Sequence, residues 1–137
     1  MKIVLDTNCL ISVIMPGSYN NDIWEAFRAG KYTLCVSNEI LFEYHEILAM
    51  RYNNLIANTV LKELIETPNI ERINPTYRFN LITTDPDDNK FVDCAIIAGA
   101  TYIVSNDHHF MELERYDFPK VDLRTLSEFL SIVRGLN

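Results

Sequence analysis

Lys2-Ile3-Val4-Leu5-Asp6-Thr7-Asn8 sets an unbroken apolar run directly against a carboxylate and two polar residues, and the fold follows from how that junction is read. Ile3, Val4 and Leu5 do not alternate with polar residues, so the run predicts a strand buried on both faces. Asp6 then marks the end of the strand. The same kind of run recurs at Thr33 to Val36 and at Tyr102 to Ser105, with weaker versions at Ile70 to Ile73 and Val121 to Leu123. Helix-length segments separate these runs. A short helical stretch reaches Pro16-Gly17, after which Asn20, Asn21 and Asp22 offer caps for a helix carrying Ile23, Trp24 and Phe27, ended by Gly30. Ser37 caps a helix whose stripe is Ile40, Leu41, Tyr44 and Leu48, and a further helix spans Leu55 to Ile65 before Pro68. Asn89 to Ala98 is helical and closes at Gly99, while Thr125 and Glu128 have capping-box spacing for a terminal helix. The predicted order is β-α-β-α-α-β-α-β-α-β-α, an α/β domain of about five strands over residues 1–137.

The 137 residues are enough for one globular domain with its own core. No apolar run approaches the roughly 20 residues that cross a bilayer, and the run at Ile3 to Leu5 is too short for a secretory signal, so the expected compartment is cytoplasmic with no membrane partner. The cysteines Cys9, Cys35 and Cys94 are odd in number and widely spaced, which argues against a disulfide framework or zinc site and for buried free thiols. Twelve Lys and Arg against nineteen Asp and Glu give a formal charge of -7, the wrong sign for gripping nucleic acid through bulk electrostatics. Any nucleic-acid contact must therefore be local, and the acids must be located.

Ligands of open parallel sheets sit beyond the carboxyl ends of the strands. Asp6 follows the first strand directly, and Asp107 follows Tyr102-Ile103-Val104-Ser105 by one residue, so both would emerge on one rim. Asp93 lies about one turn into the helix feeding the fourth strand, and Glu43 lies two turns into the helix after the second. Each has an ordinary structural reading: a turn former, a solvated helix position or, for Asp88, a helix N-cap. Their joint occurrence points elsewhere. Two carboxylates about 4 Å apart repel by roughly 4 kcal/mol at an effective dielectric near 20, so converging acids require a cation. Oxygen ligands favour Mg²⁺ or Mn²⁺ over zinc, and such an ion suits phosphodiester hydrolysis because it neutralises phosphate charge and activates water.

The motifs resemble those of PIN-domain ribonucleases, in particular the VapC-like toxins of toxin–antitoxin pairs. Four blocks carry the resemblance: LDTNCLIS from Leu5, SNEILFEY from Ser37, DPDDNKFVDCAIIAGA from Asp85 and YIVSNDHHF from Tyr102. The resemblance implies a central parallel sheet flanked by helices, with the first and fourth strands adjacent. It places the family's acidic quartet, catalytic and metal-binding, on Asp6, Glu43, Asp93 and Asp107, with Thr7, Asn8 and Ser105 orienting those acids. Ser105-Asn106 departs from the Thr-Gly common in relatives but keeps a hydroxyl. Asp88 is open to two readings, helix cap or additional metal contact, and cap preference favours the first.

The expected function is metal-dependent endonucleolytic hydrolysis of RNA, leaving a 5′-phosphate and 3′-hydroxyl if two metals act. The resemblance also implies a small antitoxin and a homodimer. His108 and His109 are close enough to suggest a base or ligand, but the motif does not require histidine there and adjacent residues on an exposed turn commonly point apart, so neither is assigned a role. Lys90 and Arg115 lie near the site in sequence and are read as solvated charges. Two other functions remain open: a metal-free PIN-like interaction module, and a haloacid-dehalogenase-like phosphatase. The phosphatase reading lacks the usual second aspartate, because Asn8 stands there.

Overall fold

A computed structural model describes residues 1–136. Five strands, β1 (Lys2–Leu5), β2 (Thr33–Val36), β3 (Ile70–Arg72), β4 (Tyr102–Val104) and β5 (Leu123–Arg124), form one sheet in the order β3-β2-β1-β4-β5. Every neighbouring pair is parallel, with Ile3 beside Leu34 on one side and Tyr102 on the other. Six α-helices accompany them among the described residues: α1 (Thr7–Ile14), α2 (Asn21–Arg28), α3 (Asn38–Arg51), α4 (Asn54–Glu66), α5 (Asn89–Ala98) and, after the last strand, α6 (Leu126–Arg134). The parallel α/β sheet flanked by helices is thus present, with β1 and β4 adjacent.

The central strands are apolar along their length because both faces are covered: Ile3, Val4, Leu5, Leu34, Cys35, Val36, Ile103 and Val104 are all buried. Helix α5 lies against β1, β2 and β4 through Phe91, Val92, Cys94, Ala95 and Ala98, while α3 pairs with α4 and α2 packs on α1 and α6. Gly99 takes φ +67°, a left-handed cap that turns the chain from α5 into β4. Trp24 and Phe27 are buried core residues whose rings meet at 5.5 Å. The three cysteines are free and buried, and burial pushes Cys35 and Cys94 up to about 12. No helix among the described residues is long and apolar enough to cross a membrane.

Local signals succeed where nothing competes for the side chain. Ser37 accepts from the Ile40 N–H at 3.2 Å, and Thr125 and Glu128 form the full capping box. The expected side-chain cap of α2 is not made: Asn20 occupies the position without a cap bond, Asn21 Nδ2 donates instead to the Val13 carbonyl, and Asp22 pairs with Arg134. The fifth strand is displaced toward the C-terminus, because Val121 is drawn into the core and Leu123 pairs with Ile103.

Asp88 stands at the N-cap position of α5, but its side chain makes no cap bond, contrary to the cap reading. Pro86–Asp88 is a 3-10 turn continuous with α5, so the Asp88 backbone is already helical and its carboxylate projects elsewhere. Asp85 is the residue that bonds its local backbone, accepting from the Asp87 N–H at 3.3 Å. The connection before it, 74–85, has no regular structure and is fastened by side chains. Asn89 bonds both the N–H and the carbonyl of Ile82 at 2.9 Å, and Glu112 accepts from Thr83 and Thr84.

Candidate active site at the carboxyl rim

Strands β1 and β4 are neighbours whose connections leave in opposite directions, which makes the rim beyond their carboxyl ends the topological switch point of the sheet. Asp6 sits there. The bond from its N–H to the Val104 carbonyl (3.1 Å) continues the β1–β4 pairing, and its carboxylate caps α1 by accepting from the Cys9 N–H at 2.9 Å. The Ser105 hydroxyl donates to the other Asp6 oxygen, and the Asp107 N–H donates to Ser105 Oγ at 2.9 Å. One serine therefore ties both rim aspartates together. Asp6, Asn8, Asn106, Asp107 and His108 line a cavity of about 350 Å³ at this point. Asn8 is exposed and makes no bond to the acids, whereas Thr7 is buried and donates its hydroxyl to Glu43.

Two more acids and a histidine approach from the flanking turns. Asp85 and Asp88 bracket the 3-10 turn before α5, and a second 3-10 segment, His108–Arg115, begins at Asp107 and carries His109. His109 Nδ1 lies 3.2 Å from Asp107 Oδ1, 3.6 Å from Asp88 Oδ2 and 3.8 Å from Asp85 Oδ2. Burial, reinforced by the charges of Asp85, Asp107 and Asp6, pushes the Asp88 carboxyl up to about 6, while His109 opposes the shift. Asp88 Oδ2 and His109 Nδ1 are both buried, yet neither has a hydrogen-bond partner among the described residues. His108, by contrast, points into solvent.

Glu43 and Asp93 are placed differently. Glu43 lies on α3 within reach of the residue after Asp6, but it already has a cation: Lys90 Nζ stands 2.9 Å from its Oε1 and donates to the Asp87 carbonyl at 2.8 Å. Lys90 is only 12% exposed, so it is a structural counter-ion rather than the solvated charge expected from sequence. Asp93 is buried and faces the connection: it accepts from the Phe79 N–H at 3.1 Å and feels the charges of Arg78 and Glu39. Its small cleft is lined by Ser37, Glu39, Pro75, Arg78 and Lys90, not by Asp6 or Asp107. The molecule thus gathers Asp6, Asp107, Asp88 and Asp85, brings Glu43 alongside through Thr7, and turns Asp93 away. The signal for Asp88 was helical phase: five residues separate it from Asp93, a rotation of about 140° and roughly 7.5 Å along the axis, so only one of them can face the rim.

These residues suit a divalent cation. Four carboxylates and one imidazole converge with no Lys or Arg among them, and two buried, unpartnered ligand atoms face each other. Asp6 and Asp107 accept hydrogen bonds from neutral donors, leaving lone pairs for an ion.

Comparison with known proteins agrees with this topology. Among solved structures, VapBC2 from Rickettsia felis, bound to a DNA fragment from its promoter, superposes with a TM-score of 0.62 at 20% identity, covering 91% of this chain and 98% of that one. VapC20 of Mycobacterium tuberculosis, described as a toxin cleaving the sarcin–ricin loop, gives 0.58 at 15% identity, with coverages of 80% and 92%. The PIN domain endonuclease Utp24 gives 0.56 at 16%, with coverages of 90% and 84%. No curated protein sequence matches significantly. At these identities the structures speak for the fold alone, but the PIN domain family model matches residues 2–109, and the chain belongs to the PIN domain family.

Proposed function

We propose that this chain is a divalent-cation-dependent endoribonuclease and the toxin half of a toxin–antitoxin pair. The observation that carries the reading is the unpartnered, buried Asp88 carboxylate oxygen beside Asp6 and Asp107 at the switch point, a grouping that repels itself until a cation is supplied. Asp6, Asp88 and Asp107 would hold Mg²⁺ or Mn²⁺, which when bound neutralises phosphate charge and lowers the pKa of water. Cys9 N–H and the Ser105 hydroxyl fix the Asp6 carboxylate in one rotamer, and the His109 N–H does the same for Asp107 at 2.9 Å. Thr7 orients Glu43, whose charge Lys90 balances, so Glu43 acts on the site through Thr7 or a bridging water. Asp93 anchors the 74–85 connection that carries Asp85 to the rim.

The partner reading rests on the resemblance to VapC-like toxins of toxin–antitoxin pairs and on the structural likeness to VapBC2. It also rests on exposed apolar surface along α3 and α4, where Phe42, Met50 and Leu55 are each about three-quarters exposed. A small antitoxin and a second copy of the chain are the proposed occupants. Purified protein assayed on RNA with Mn²⁺ should cleave it. Cleavage should disappear with EDTA and with Asp88→Asn, and a cytoplasmic preparation should retain a small co-purifying protein. Cleavage that survives both EDTA and Asp88→Asn would reject the mechanism, and tight Mn²⁺ binding without cleavage of any RNA would favour the interaction module.

A further inference from the structure

His109 is left over by the chemistry proposed above. It is one residue removed from the exposed His108, yet its Nδ1 is shielded from solvent and unbonded, facing Asp107, Asp88 and Asp85 at 3.2, 3.6 and 3.8 Å. A protonated imidazole in that position would donate one N–H to one carboxylate along a single line. The observed arrangement instead spreads three oxygens around one nitrogen, none of them in hydrogen-bond geometry with it. Ligands about 2.1 Å from an ion stand roughly 3.0–3.4 Å apart in octahedral or tetrahedral geometry, and Asp88 and Asp85, at 3.6 and 3.8 Å from Nδ1, stand a few tenths of an ångström outside that range. The donor atoms of Asp85, Asp88 and His109 lie within 4.8 Å of one another, close enough to meet on one ion after small rotamer adjustments.

The backbone is built to hold these three residues together. Glu112, on the segment that carries His109, accepts from the Thr83 N–H at 2.6 Å and the Thr84 N–H at 3.1 Å, pinning the residues just before Asp85. Asn89 fastens Ile82 from the other side of Asp88. The two turns bearing the ligands are thereby clamped face to face.

We infer that His109 Nδ1, Asp88 Oδ2 and Asp85 Oδ2 form a mixed nitrogen and oxygen cation site that selects a transition ion of the Mn²⁺ class over Mg²⁺. Imidazole nitrogen binds first-row transition ions, of which Mn²⁺ is the weakest-binding member, more readily than it binds Mg²⁺, which takes oxygen and sheds water reluctantly. The inference rests on the reading that Asp88 belongs to the cation-binding rim, but it adds a ligand and a metal preference that the reading does not require.

Mn²⁺ is itself the probe. Electron spin-echo spectroscopy of the full chain loaded with Mn²⁺ should show coupling to an imidazole nitrogen, and the coupling should vanish in His109→Gln. Calorimetry should find Mn²⁺ affinity lowered by about tenfold or more in that variant, with Mg²⁺ affinity changed by less than about threefold. Mn²⁺ bound without imidazole coupling in the unmodified protein, or coupling that persists in His109→Gln, overturns the assignment of His109 and leaves the nuclease reading standing. Failure of the unmodified protein to bind Mn²⁺ at all overturns both. The wild-type spectrum decides the first point whether or not the variant folds.

Discussion

Glu43 and Asp88 are both acids near the carboxyl rim, and the protein equips them in opposite ways. Glu43 is supplied with its own cation, the nearly enclosed Lys90, and with the Thr7 hydroxyl. Asp88 is given acidic neighbours, no Lys or Arg, and an oxygen with no partner, and its carboxyl is pushed up to about 6. A satisfied ion pair is part of the scaffold, whereas a buried carboxylate left without a partner is costly until it gains a proton or a cation. The difference separates the acids that shape the rim from those that would bind at it.

The strongest way to break that comparison is Asp88→Asn. It keeps the shape and removes the charge in deficit, so Mn²⁺ affinity should fall by about 100-fold or more and RNA cleavage by about 10³-fold, roughly 4 kcal/mol of transition-state stabilisation. Calorimetry and single-turnover cleavage measure the two losses. A drop below tenfold in both would mean that Asp88 is no more engaged than Glu43.

Most of the architecture was legible in sequence because it depends on patterns with one solution. Unalternating runs at Ile3 to Leu5 and Tyr102 to Val104 demand burial on both faces, and Gly99 and Thr125 end and start helices by local geometry alone. Side chains at the rim were less legible because each could serve several partners. Asp88 looks like a cap by type and position, but the Pro86 turn had already made its backbone helical, which frees the carboxylate. Asp93 falls in the block that carries the family resemblance, yet helical phase directs it to the Phe79 N–H. Lys90 reads as a surface charge until α3 brings Glu43 to it across 47 residues of chain. His109 carries no signal distinguishing it from His108 except that adjacent residues of a tight 3-10 segment face different ways.

Lys90→Met tests the other half of the comparison. It strands Glu43 without its counter-ion and should destabilise the fold by about 1–3 kcal/mol in urea unfolding, less than a fully buried pair because Glu43 retains 29% exposure. Adding Glu43→Gln to Lys90→Met should recover most of the loss, since the charge left unmatched is then gone. If the single variant is as stable as the parent, the pair is ornamental and Glu43 is free to act as a metal ligand.

Asp93→Ala sharpens the contrast along α5 itself. The Phe79 N–H loses its acceptor, so stability should drop by about 1–2 kcal/mol while Mn²⁺ affinity stays within about twofold. Asp88→Asn should give the reverse pattern, and equal loss of metal by both variants would return Asp93 to the site.

The smallest effect should come from Glu112, which touches no proposed ligand but clamps the turn before Asp85. The Thr83 N–H first, then the Thr83 hydroxyl and the Thr84 N–H, hold its carboxyl below the usual range, so its contribution to stability is present above the unfolded pKa near 4.3 and is lost as pH falls through the lower folded value. Glu112→Gln should therefore be less stable than the parent at pH 7, and the gap should close between about pH 5 and pH 3. At pH 7 its Mn²⁺ affinity should fall by less than about tenfold, the lower end of what outer partners of a metal site contribute. A gap that persists at pH 3 would place the effect in packing rather than in the carboxylate clamp, and an affinity loss as large as that of Asp88→Asn would mean that the turn, not the charge deficit, makes the rim bind.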